Sequence, residues 1–450
     1  MQPDTTYQTL KKKHKTGLYL LLLLFIIFGI IVEMRGALQT KRKTDAGVYF
    51  RAAWAIRTEN DPYSITDDRG WHYLYPPLFA ITMWPLADPP TGMDRTGYLP
   101  YEISIALWYI ITLLFGFAGV HLLANALEKT SKDTNVRNQP KFCMRWWALR
   151  ILPILILLLP IGRTQVRGQI GLIISFILCG TTAYILYGKR FLAGLWLSAA
   201  ICIKIIPALF LLVPIWRRDW KMISGTLAGL LFGLLLIPSI IMGPQKLFQG
   251  YQSFYKETLM AGIKGDTEGS RGKELTGITS TDSNSPMVIM HNIMYPESST
   301  RPKTAKPFVR ITHWIIFLIM ILLTLLAAGW KNSDKFISGK IEATPRETLF
   351  LASIIPLMCT ASPVFHPHYI AMALPLITII LSILWDRNSF PSISTGWKII
   401  FALLIISHIL TSIDEGIFLY FRDFGLVLLS TILLWAGSIA LLKNTARTQS

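Results

Sequence analysis

"GLYLLLLLFIIFGIIV" (residues 17–32) decides what kind of protein this is. The run carries no charge. At about 1.5 Å of rise per residue it just spans the hydrocarbon core of a bilayer as a helix. The preceding "KKKHK" (11–15) is held inside by the positive-inside bias, so the run crosses outward. It lacks a convincing small-x-small cleavage site and reads as an uncleaved anchor. Apolar runs of this kind recur from end to end of the 450 residues. The chain therefore reads as an all-α, polytopic membrane protein.

Composition agrees. The chain is 52% hydrophobic and 16% charged, where soluble domains average about 25% charged residues. A transmembrane β-barrel would need segments of about ten alternating residues, which do not occur. The formal net charge is +18, but Lys and Arg sit mostly in short loops between apolar runs. There they orient helices and meet anionic membrane lipids, so no nucleic-acid partner is expected. Cys143, Cys179, Cys202 and Cys359 show no disulfide or metal spacing. No N-x-S/T sequon occurs, which favours a bacterial plasma membrane over a secretory-pathway membrane.

The charge rule orders the rest. Residues 1–16 form a basic cytoplasmic N-terminus, 17–442 a single membrane domain and 443–450 a cytoplasmic tail. The large external loops cover about 33–100 and 243–310, the second polar and irregular. Within the first, "VYFRAAWAIRTE" (48–59) has helical periodicity and is expected to lie along the membrane surface, with Arg51 and Arg57 off its apolar stripe. The apolar stretch at 77–88 is too short to cross easily and reads as a re-entrant or interfacial helix. Residues 191–216 are too long for one span and carry Lys204 and Pro207, so they read as a hairpin broken near Lys204. The count is about ten full spans plus this broken hairpin.

This topology gathers unusual polar groups on one face. Asp45 lies just outside the first span, where it serves either as the cap of the following helix or as a functional carboxylate. Arg163 and Arg167 occupy a short external loop, "GRTQVRGQIG" (162–171), against the charge bias. Phosphate is a natural partner for guanidinium; lipid headgroups are the plainer alternative. Gln169 of that loop is either a cap or a substrate contact. Lys204 in a helix break is costly unless it faces a cavity. His366 and His368 flank a proline in "SPVFHPH" (362–368). Asp67 and Asp68 have no third ligand spaced to join them, and the two histidines have no local carboxylate, so no metal site is expected.

Taken in order, "GVYFRAAWAI", "DPY", "YLYPPLFAITMWPLA", "GQIGLIISFIL", "AICIKIIPALFLLVPIWRRDW" and "SPVFHPHY" resemble glycosyltransferase family 87 of the GT-C superfamily, over about residues 40–385. The resemblance implies a GT-C-like helical membrane fold. It implies a site on the non-cytoplasmic face and a polyprenyl-phosphate hexose donor, usually mannose. Asp45 matches the family's catalytic carboxylate and His368 its histidine in the "SP" turn. His366 stands where the family commonly has Trp. Tyr49, Arg51 and Tyr75, from the matching stretches, are expected to wall the site.

The chemistry suits this setting. A lipid-phosphate sugar brings no nucleotide, so neither a Rossmann motif nor a DxD metal site is needed, and no cofactor beyond the donor is expected. One carboxylate as base, with Arg163, Arg167, Lys204 and His368 to meet the phosphate, implies single displacement with inversion. The acceptor would be a hydroxyl of a glycan or glycolipid. The alternative is a transporter or flippase, which would also have broken helices and a charged cavity; a non-catalytic assembly protein is a third reading.

Overall fold

The computed structural model describes residues 11–39, 44–260, 278–279, 283–329, 345–388, 394–413 and 415–447. The basic 330–344 stretch, most of 261–282 and the last residues of the tail lie outside them. Among the described residues the elements are helical, and extended backbone pairs only at an isolated antiparallel bridge, Thr66–His72.

Burial sorts the helices. Leu374–Asn388 is apolar on every side, with Leu374, Leu376, Ile377, Ile379 and Ile380 all buried. Of the most apolar 18 residues within Pro367–Asp386, 94% are enclosed, as expected of a helix with no polar face. This element is the pillar of the domain. Around the outside, Pro307–Ala328 and Trp220–Met242 are only 28% and 22% enclosed. Their Leu227, Phe232, Ile240, Leu318 and Leu326 point outward, as lipid-facing residues do.

Close approach of backbones joins the layers. A Cβ added at Gly194 would lie 2.2 Å from the carbonyl oxygen of Met222, and one at Gly225 would lie 2.1 Å from that of Phe191. Two helices, Arg190–Ile203 and Trp220–Leu230, thereby meet through small residues.

Among the described residues, five single helices are long and apolar enough to cross a membrane. Several expected spans are interrupted instead. Met144–Ile156 and Leu158–Val166 bend by 59° at Leu157, after Pro153 has removed a backbone donor from the ladder. The 347–358 run is divided between Pro345–Ala352 and Ile354–Ala361. The break at Lys204 is as expected: Arg190–Ile203 ends there in extended backbone, and a 3₁₀ turn, Ile206–Leu211, follows. Residues 77–88 form a six-residue helix, Pro77–Thr82, and a 3₁₀ turn, Trp84–Leu86.

Two expectations are corrected. Asp45–Arg57 is not a surface helix. Its residues from Val48 to Ile56 are buried, Arg51 included, because the rest of the first loop folds over it and satisfies the guanidinium. Arg51 Nε donates to the carbonyl of Asp88 at 3.1 Å, Nη1 to that of Thr66 at 3.1 Å and Nη2 to Asp68 at 2.7 Å. The 243–310 segment is not irregular throughout: it holds the helices Pro244–Phe254 and Pro286–Met294.

Met93 and Asn138 are exposed and flank the Tyr101–Lys129 span, while all four native cysteines are buried. Met93→Cys is expected to react with an impermeant maleimide from outside intact cells, and Asn138→Cys only after permeabilisation. The reverse pattern would invert the topology.

Candidate active site

The site is assembled from four stretches distant in sequence. The first is the N-terminus of Asp45–Arg57. Thr44 occupies the N-cap without a side-chain capping bond, and Asp45 opens the helix. Its carboxylate is favoured there by the helix dipole. It caps nothing, for Oδ2 accepts a hydrogen bond from Gln169 Nε2 and Oδ1 lies 3.6 Å from Arg69 Nη2. The backbone N–H of Asp45 donates to the carbonyl of Arg167 at 2.9 Å.

The second stretch is the turn holding Gln169. Arg163 sits in the last turn of Leu158–Val166, not in a loop. The apolar ladder simply continues through it, and the chain turns only at 167–170 before Gly171–Leu186. Gly168 makes this possible. Its φ is +64°, and an added Cβ would lie 2.9 Å from Ala46 Cβ, so only glycine lets the turn press on the start of the Asp45 helix. Trp108 Nε1 holds the Gly168 carbonyl at 2.8 Å.

Gln169 is oriented by two phenols. Tyr49 and Tyr75 hydroxyls reach its Oε1 at 3.3 and 3.5 Å, which turns its amide N–H toward Asp45. Burial pushes the Tyr49 phenol well above its usual range, with the neighbouring Tyr75 and Asp45 adding to the shift. Burial also raises Tyr75, against an opposing pull from Lys204. Both therefore stay protonated and able to donate. The Tyr49 ring packs edge-on against Tyr75, Phe79 and Trp108, at centroid distances of 5.3, 4.9 and 5.8 Å.

Lys204 supplies the third stretch. Its ammonium lies 4.2 Å from the Tyr369 ring centroid and 5.6 Å from that of Tyr75. Among the described residues no carboxylate pairs with it. Arg145, Arg150 and Arg190, by contrast, each meet a carboxylate, on Asp386, Glu128 and Glu347. A half-buried ammonium supported by aromatic faces is ready for an anion.

The fourth stretch is the "SPVFHPHY" turn. His366 caps a 3₁₀ helix, Pro367–Ala373, and its ring stacks on His368 at 5.4 Å and 13°. Thr164 Oγ1 donates to the His368 carbonyl at 3.0 Å, tying this turn to the arginine segment. His368 is buried, and its Nε2 meets no partner among the described residues. The charges of Arg167, Lys204 and Arg163 all bear on it. Arg163 Nη2 also donates to Ser412 at 2.8 Å, beyond the end of Thr395–Leu410.

Asp45, Tyr49, Tyr75, Gln169, Lys204, His366 and His368 are thus brought together, with Arg163 and Arg167 bearing on them electrostatically. Arg51 is held apart by the loop groups that enclose it. Sequence reading missed Arg69, Gly168, Trp108 and Tyr369. Arg69 lay within "DDRG", where only a turn was legible. The glycine before Gln169 was the available signal for the close turn. Among the described residues no three His, Cys, Asp or Glu side chains converge as a metal set.

The sequence profile of glycosyltransferase family 87 matches residues 73–363. This range takes in Tyr75, the 163–169 segment and Lys204, and lies between Asp45 on one side and His366 and His368 on the other. No curated protein matches the chain. Among solved structures, the crystal structure of ArnT from Cupriavidus metallidurans bound to undecaprenyl phosphate is similar over 94% of this chain and 78% of that one, at 13% identity and a TM-score of 0.38.

Gly168→Ala is expected to cost about 1–3 kcal/mol, from the strained φ and the displaced Ala46. A lowered thermal unfolding midpoint in detergent checks this; an unchanged midpoint would show that the turn yields freely.

Proposed function

The chain belongs to glycosyltransferase family 87, and from that premise we propose that it moves a hexose, mannose in the first instance, from a polyprenyl-phosphate donor to an acceptor hydroxyl, with Asp45 as the base. As a membrane glycosyltransferase it needs one group to accept the acceptor's proton and others to receive a phosphate. The observation that carries the assignment is the chain of contacts from Asp45 through Gln169 and Tyr75 to Lys204 and Tyr369.

The reaction on this reading is one displacement. The acceptor oxygen attacks the anomeric carbon while Asp45 takes its proton. The bond from that carbon to the phosphate oxygen breaks, and the polyprenyl phosphate leaves with the electron pair. Lys204, His368, Arg163 and Arg167 meet the charge that develops on it. A single carboxylate implies inversion, so a β-linked donor would give an α-linked product. Asp67 and Asp68 are poor alternatives as base: Asp67 is buried against Arg69, and Asp68 bonds Arg51 and Thr91. Asp45 is 31% exposed in its side chain, open enough to meet a substrate. Arg51 acts at a distance on this reading, by holding the first loop closed over the Asp45 helix. The charge bias favours an active site on the non-cytoplasmic face, where the acceptor would be a glycan or glycolipid.

Asp45→Asn is expected to lose about 10²–10⁴-fold in transfer rate while folding and binding donor normally. Labelled polyprenyl-phosphate mannose, followed into membrane glycans, provides the measurement; a wild-type rate would leave Asp45 a structural role only. Replacing Lys204 or Arg167 by Gln is expected to weaken donor use by about 1–3 kcal/mol each, the scale of charged hydrogen bonds. Donor KM and kcat/KM report it. Equal values for variant and wild type would remove that residue from the phosphate site.

A further inference from the structure

We propose that Arg69 is the positioning residue for the base: it holds the carboxylate of Asp45 in the orientation from which it accepts the acceptor's proton. The inference rests on the reading of Asp45 as base, and concerns a residue that neither the motifs nor the matched segments singled out.

The geometry is that of a built support. The carboxylate of Asp45 is addressed from both sides. Gln169 Nε2 donates to Oδ2, and Arg69 Nη2 stands 3.6 Å from Oδ1. The same Nη2 donates to the carbonyl of Thr44, the residue before Asp45, at 2.8 Å. One guanidinium therefore grips both the backbone entering the helix and the side chain that opens it.

Arg69 is itself tethered. Its Nε donates to Asp67 Oδ2 at 2.9 Å. Asp67 Oδ1 accepts from the backbone N–H groups of Arg69 and Trp71, each at 2.9 Å, and its side chain is 3% exposed. The turn is closed by Asp67 N–H to the Trp71 carbonyl at 2.9 Å, by the Thr66–His72 bridge, and by Gly70 at a φ of +84°. A long arginine is thus fixed at its root, at Nε and at Nη2.

Stability alone does not account for this arrangement. A half-exposed ion pair at 3.6 Å contributes little to folding. Directing a base is a different matter, because misplacement of a reacting group by about 1 Å can cost about 100-fold in rate. Gln169 alone would leave the carboxylate free to rotate about its bond to Oδ2. Arg69 neither gives nor takes a proton, since guanidinium stays charged throughout. Its role is to hold Asp45 in place while the proton moves from the acceptor oxygen to the carboxylate.

The test uses full-length protein in vesicles of the producing membrane, with labelled polyprenyl-phosphate mannose as probe and the membrane's own glycans as acceptors. Arg69→Gln is expected to lower the maximal rate about 10–100-fold while donor KM stays within about twofold of wild type. Arg69→Lys should recover part of that loss, since it restores the charge near Asp45 but not the fork that also binds Thr44 and Asp67. Should Arg69→Gln fail to accumulate, Asp67→Asn decides the matter. It keeps the turn's amide acceptor, weakens the hold on Arg69, and is expected to show the same rate-only loss in smaller measure. A wild-type rate, or a loss that falls on donor KM, overturns the proposal. Asp45→Asn in the same vesicles separates the two readings. If it is active, the assignment of the base falls; if it is inactive while Arg69→Gln is not, only the role of Arg69 falls.

Discussion

In lipid a helix can be interrupted only where other parts of the protein take over the hydrogen bonds it gives up. The breaks at 167–170 and at 362–366 obey this constraint. The Arg167 carbonyl is taken by the N–H of Asp45, and the Gly168 carbonyl by Trp108. The carbonyl of Phe365 is taken by the N–H of Asn284, from the second large loop. Both of these interruptions are covered by another segment, and the polar side chains released there lie near Lys204 at its own helix break. The site exists because the breaks coincide.

Gln169 is the joint between the two chemistries. Its carbonyl oxygen faces two protonated phenols and its amide faces Asp45. Tyr75 in turn faces the Lys204 ammonium. A carboxylate and a cluster of cations are thereby kept near each other without forming an ion pair that would quench both. The fixed dipoles around Gln169 cost little reorganisation when charge moves. The aromatic ring packing around Tyr49 gives these dipoles a rigid wall.

Much of this was legible in the sequence. The apolar runs, the break at Lys204 and the short 77–88 segment all followed from hydropathy and charge bias, and the same reasoning placed the Asp45, Gln169, Lys204 and His368 segments on one face. What misled was local pattern. The periodicity of 48–59 suggested a helix lying at the membrane surface, but a helix stripe says only which residues are apolar, not whether another segment will cover the polar ones. Arg51 is covered because Asp88, Thr66 and Asp68 arrive from later in the loop. Arg163 looked like a loop residue because charge usually ends a span; here the helix runs on through it, and its guanidinium meets Ser412.

By itself the sequence determined that the chain is a helical membrane protein and which segments are buried in apolar surroundings. Those properties are sums over neighbouring residues, and solvent transfer acts on each residue where it stands. Only the tertiary structure decided which arginine of the first loop meets Asp45. Arg51 is on the same helix and Arg69 lies in a distant turn, yet it is Arg69 that arrives. The choice depends on the closure of the Asp67 turn and on the approach of Gly168 to Ala46. Pairings of that kind are set by loop closure and backbone approach between residues far apart in the chain, which no local pattern encodes.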